Sequence, residues 1–129
     1  LLRHQAKIDA RDAVGRQPLH VVAANGHSKA LAFLVDRRGK VDATDEFGRQ
    51  PLHYAASVGH IMVMERLLQR RAQLDVKTKG LQQPLHASIS AGHVDVVQWL
   101  LQNGAEFRTR KVGGESPRSM AQKLGHARI

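Results

Sequence analysis

The strongest constraint in this chain is a period. Pro18, Pro51, Pro84 and Pro117 stand 33 residues apart, and both Gly26, Gly59, Gly92, Gly125 and His27, His60, His93, His126 keep the same step. A fixed spacing of that length means stacked repeats, each burying its apolar face against its neighbours. The recurring phrase is fullest at 49–60, RQPLHYAASVGH. Proline is tolerated in the first turn of a helix, where its missing N–H is not needed. Glycine eight residues later supplies the positive φ that ends one. Each unit therefore opens with a helix of about two turns.

A second apolar segment follows each Gly-His pair, as in Ile61-Met62-Val63-Met64-Glu65-Arg66-Leu67-Leu68 and Val94-Asp95-Val96-Val97-Gln98-Trp99-Leu100-Leu101. Apolar residues at spacings of three and four predict a second helix packed on the first. The stretch before the next proline, for example Asp42-Ala43-Thr44-Asp45-Glu46-Phe47-Gly48-Arg49, is small, polar and glycine-containing, which reads as a turn. The expected interior comprises Val21, Val22, Ala23, Leu31, Phe33, Leu34 and Val35 in one unit. In the next it comprises Tyr54, Ala55, Ala56, Ile61, Val63, Met64, Leu67 and Leu68, and then Ile89, Val94, Val96, Val97, Trp99, Leu100 and Leu101.

The phrases Gln17-Pro18-Leu19-His20, Gln50-Pro51-Leu52-His53 and Gln83-Pro84-Leu85-His86, with the Gly-His, Val-Val, Leu-Leu and Gly-Ala sequence from Gly92 to Ala105, resemble the ankyrin repeat family. The resemblance covers essentially the whole chain and implies an all-α solenoid of helix-turn-helix units with projecting hairpin loops. The expected organisation is one domain over 1–129: the end of a preceding repeat at 1–10, full repeats at 11–43, 44–76 and 77–109, and a partial or capping repeat at 110–129. Because both ends fall inside a repeat, the chain is expected to be a piece of a longer array. Arg118 and Ser119, which replace the Leu-His of the earlier units, fit either a capping repeat or simple divergence.

Two departures from the family pattern carry a physical cost. Gln17, Gln50 and Gln83 replace the threonine whose hydroxyl caps the first helix, at about 1 kcal/mol each. The family's glycine after the second helix is Gln5, Arg38 and Arg71 here, with only Gly104 matching. An arginine in a left-handed conformation is strained by about 1 kcal/mol, unless Gly39 takes over by a one-residue shift.

Twenty Lys and Arg against eleven Asp and Glu give a formal net charge of +9, which attracts anions. There is no cysteine, so disulfides and thiolate metal sites are excluded. No apolar run approaches the roughly 18 residues of a membrane helix, and no signal-peptide pattern opens the chain, so no membrane span is expected. The resemblance suggests an intracellular location, cytoplasmic or nuclear, and a monomer is expected. Seven of the eight histidines occupy the two repeated histidine positions. Copies one helix spacing apart, about 8–10 Å, cannot share a metal that needs nitrogens at about 2 Å. Nucleophile elbow, phosphate loop and His-Glu-x-x-His are all missing, so neither catalysis, metal nor cofactor is expected.

What the resemblance implies instead is recognition of a protein partner along a concave face made of hairpin tips and first helices. On this sequence the candidate residues are Arg11, Arg16, Glu46, Phe47, Arg49, Lys77, Lys79, Arg110 and Lys111 in the hairpins, with Asn25 and Val58 on the helices. Seven of these hairpin residues are basic and one is acidic, so an acidic segment is the expected partner, anchored at Phe47, with Arg16, Arg49 and Lys79 meeting its carboxylates. Phe47 folded back over its own hairpin is the plainer alternative. The alternative function is nucleic-acid or anionic-surface binding through the basic surface, including Arg37, Arg38, Arg70 and Arg71. It is disfavoured because only Phe47 is available to stack.

Overall fold

The computed structural model describes residues 9–105, which form six helices and no strand. These are α1 (Pro18–Ala24), α2 (Ser28–Asp36), α3 (Pro51–Val58), α4 (Ile61–Gln69), α5 (Pro84–Ala91) and α6 (Val94–Gln102). Proline opens α1, α3 and α5, as the missing donor allows. The glycine that follows each is left-handed, and Gly26 is required twice over. Its φ is 73°, and a Cβ there would meet the His60 ring at 2.7–2.8 Å.

The glutamines before the prolines are extended and make no cap bond with their side chains. The cap runs the other way. The N–H of Gln17, Gln50 and Gln83 donates to Nδ1 of His20, His53 and His86, at 3.0, 2.9 and 3.0 Å. An accepting Nδ1 puts the proton on Nε2. His20 Nε2–H then donates to the carbonyls of Ala43 (2.9 Å) and Arg49 (3.0 Å), and that of His53 to Val76 (3.0 Å) and Gln82 (3.2 Å). Each of these two histidines ties the start of its own helix to the loop leading into the next unit. The Oε1 atoms of Gln50 and Gln83 are buried with no hydrogen-bond partner among the described residues, which is where the expected cap penalty resides.

The first helices stack closely, α1 on α3 on α5, on fully buried small residues such as Ala23, Ala55, Ala56 and Ser88. The outer row α2, α4, α6 is in looser contact, so the stack bends with the first helices on its inner side. Between the rows lie Leu19, Leu31, Leu34, Leu52, Val63, Met64, Leu67, Leu85, Ile89, Val96, Val97 and Leu100, all buried.

Three residues expected in the interior are not there. Val21 (38% exposed) faces the inner groove, in register with Tyr54 and Ala87. Phe33 (39% exposed) lies on the outer face of α2, at the position that holds Arg66 in the next unit, and its ring carries the Arg37 guanidinium at 3.6 Å. Leu101 is likewise exposed, at the position of the half-buried Val35 and Leu68. A nine-residue helix gripped on one side buries only its inner stripe, and apolar character alone did not show where that stripe ends. The arginine strain is present at both described sites, with φ of 70° at Arg38 and 71° at Arg71, so Gly39 does not take over.

Candidate partner-binding face

Three hairpins project beside the first helices. The N–H of Asp12, Asp45 and Thr78 donates to the carbonyl of Arg16 (2.9 Å), Arg49 (3.0 Å) and Gln82 (2.8 Å) respectively. Successive hairpins are joined through the backbone, Glu46 N–H to the Val14 carbonyl (3.0 Å) and Lys79 N–H to the Phe47 carbonyl (2.9 Å). The tips therefore form one continuous edge rather than separate fingers.

The side chain that holds each turn is one the sequence reading passed over. Asp12 Oδ1 accepts from the N–H of Val14 and Arg16, and its Oδ2 from Arg16 Nε at 2.7 Å. Asp45 repeats this with Phe47 N–H, Arg49 N–H and Arg49 Nε, and adds the Tyr54 hydroxyl, which donates to Oδ2. In the third hairpin Thr78 Oγ1 takes over, accepting from Gly80 and Gln82 N–H at 3.2 Å each. The signal was present as Asp-x-x-Gly-Arg, at 12–16 and 45–49, on the 33-residue step.

These carboxylates change the electrostatics expected of the face. Arg16 and Arg49 are already paired with Asp12 and Asp45. The uncompensated hairpin charges among the described residues are those of Arg11, Lys77 and Lys79, against Glu46. Arg11 also bonds the carbonyls of Gly15 (2.8 Å) and Thr44 (2.7 Å), which pins it across the first two hairpins. The positive charge of the described hairpins is therefore smaller than a count of arginines suggests.

Burial pushes the Asp45 carboxyl up, but the bonds from Tyr54 and from Arg49 outweigh it and hold it down at about 2. Burial and the Asp45 bond push Tyr54 up to about 12. Burial lowers His20 and His53 below the usual histidine value, against the carbonyls that favour the charged ring.

The structure brings Phe47 and Arg49 together. Phe47 is 53% exposed, so it does not fold away into its hairpin. The Arg49 guanidinium lies 4.9 Å from the centroids of both the Phe47 and Tyr54 rings. Val58, one turn beyond Tyr54 on α3, and Asn25, at the end of α1, are exposed at equivalent positions along the groove. Lys77 and Lys79 are exposed on the third hairpin. Arg110 and Lys111, with the fourth unit, lie outside the described residues.

Below Arg49, between Tyr54 and Ala87, a cavity of about 210 Å³ opens in the groove. Among the described residues no cluster of three His, Cys, Asp or Glu could hold a metal, and no helix is long and apolar enough to cross a membrane. The family model for ankyrin repeats, in three copies, matches residues 1–79 and again 39–111. These matches span most of the chain and coincide with the helix pairs just described, and the chain belongs to the ankyrin repeat family.

Proposed function

We propose that the chain is a non-catalytic recognition module that binds an acidic protein segment along the groove between hairpin tips and first helices. Ankyrin repeats generally mediate protein–protein interactions. The observation that carries the finer reading is the pair at the second hairpin: a half-exposed phenylalanine with an arginine stacked on it, beside a cavity. Aromatic and arginine side chains dominate interface hot spots. Arg49 is held by Asp45 and two rings, so it loses little freedom on binding. Lys77, Lys79 and Arg11 supply the long-range attraction for an acidic partner.

The outer basic edge favours the alternative less. Arg70 is paired with Asp36 at 2.6 Å, and Arg37 is stacked on Phe33. The test is capture of acidic peptides and of nucleic acid, side by side, at low and physiological salt. Selective, partly salt-resistant peptide binding that is abolished by Phe47→Ala with Arg49→Glu is the expected result. Phe47→Ala alone, which removes no hairpin hydrogen bond, separates loss of the anchor from loss of the hairpin. Unchanged affinity in both variants places the site elsewhere, and polyanion binding that vanishes at physiological salt supports the alternative.

A further inference from the structure

We infer that the cavity between Tyr54 and Ala87 is a specificity pocket: it takes one large apolar side chain of the bound segment, while a neighbouring carboxylate of that segment bonds Arg49. This rests on the groove reading above and specifies its partner. Val21, Tyr54 and Ala87 are the same position in three successive units. The groove wall steps from a large ring to a methyl group there, and the cavity of about 210 Å³ opens at that step. That is below the roughly 300–1,000 Å³ of a small-molecule site and is suited to a single large side chain.

Several polar groups of the walls are already engaged within the protein. The Ser57 hydroxyl donates to the Tyr54 carbonyl at 2.9 Å. His53 Nε2 is engaged by the Val76 and Gln82 carbonyls, and Thr78 Oγ1 accepts from Gly80 and Gln82. An apolar group packed between the Tyr54 ring and the Ala87 methyl therefore leaves these internal bonds intact. The rim is different in kind. Arg49 bonds Asp45 through Nε at 2.7 Å, and its Nη groups bond no other described residue. They are left to meet an anion at the mouth, and the nearby Asp45 and Glu46 favour a singly charged carboxylate over a doubly charged phosphate.

The experiment is fluorescence polarisation with labelled acidic peptides identical except for one central residue, Ala, Leu, Phe or Trp. The wild type should bind the Leu or aromatic peptides roughly tenfold or more tightly than the Ala peptide. Ala87→Tyr, which restores the residue of the preceding unit and builds a phenol ring into the cavity, should erase that preference. Ala87→Val, the residue of the first unit, should reduce it part way, with circular dichroism confirming an unchanged fold in both. Preference retained in Ala87→Tyr, or absent from the wild type, overturns the pocket. If Phe47→Ala weakens every peptide while Ala87→Tyr changes nothing, the groove reading stands and the pocket falls. If the wild type binds none of the peptides, both fall.

Discussion

Asp45→Asn removes one charge from the inside of the second hairpin and leaves its size nearly unchanged. The native carboxyl is held at about 2 against an ordinary 3.8, and that difference corresponds to about 2 kcal/mol of folding stability at neutral pH. Asparagine also replaces one accepting oxygen by an amide donor. Arg49 Nε and the Tyr54 hydroxyl share Oδ2, so with the amide nitrogen there Arg49 Nε loses its acceptor while the hydroxyl can turn and accept, for about 1 kcal/mol more. The expected loss is about 3 kcal/mol, read by urea unfolding followed by circular dichroism. Asp12→Asn is the internal control. It sits in the same turn, but its side chain is 37% exposed, where that of Asp45 is fully buried, and no tyrosine reaches it. It should cost a small fraction as much. The pH dependence fixes the cause. A carboxyl whose folded value is depressed contributes its stability in full above its unfolded value and loses it as the pH falls through the folded one. The gap between wild type and Asp45→Asn should therefore be constant above about pH 5 and shrink between about pH 4 and pH 2. Equal costs at Asp12 and Asp45, or a gap as wide at pH 2 as at pH 7, would refute the assignment of the buried charge.

Tyr54 is the only tyrosine, so ultraviolet absorbance titrates it alone; it should ionise near 12 in the folded protein and move down towards 10 in Asp45→Asn. Arg71→Gly relieves a left-handed arginine and should stabilise by about 1 kcal/mol, raising Tm by about 4 °C; a lower Tm would show that the arginine side chain matters more than its backbone strain. Gln50→Thr removes a buried unpartnered oxygen and supplies a capping hydroxyl, so Tm should rise, and a fall would count against the helix start at Pro51. His20 and His53 are buried with lowered values, so their neutral forms stabilise the fold above pH 6.5. That contribution should drain away as the pH falls below 6.5, with the urea midpoint dropping less steeply in His53→Ala.

Much of the fold was legible because the residues that specify it are few and recur. Proline at the helix start, leucine one residue later, histidine two residues later and glycine at the end each have a local backbone or hydrogen-bonding reason. That reason repeats every 33 residues. The exposure of Phe33 was harder to see, since an apolar residue at the border of a helical stripe looks like one inside it. Comparison with Arg66, its counterpart, was the available clue. The glutamines were read correctly as poor caps, but the compensating acceptor on His20, His53 and His86 depends on rotamer and tautomer, which no spacing encodes. At the site, counting arginines overstated the charge because the aspartates that bind them were taken for turn residues. Phe47 and Arg49 could be named as candidates, whereas Tyr54 entered only as an interior residue. Its place beside Arg49 follows from how α3 sits against its own hairpin.

Variation between the units separates scaffold from recognition within a single chain. Positions that hold the stack change little: the prolines, the buried leucines, the paired histidines and the glycines recur in all three described units. Positions along the inner face do not. The tip reads Val14, Phe47, Gly80; the end of the turn Arg16, Arg49, Gln82; the groove wall Val21, Tyr54, Ala87. If these side chains served only to pack repeats together, the identical neighbours on either side would favour identical choices. Instead the two aromatic residues coincide in the second unit, bracket one arginine there, and are followed by the smallest wall residue in the third. Shape and charge thus converge on one point of an otherwise repetitive surface. A repeat stack has many equivalent positions along its groove, and this departure from equivalence is what would fix where along the groove a partner sits and in which register.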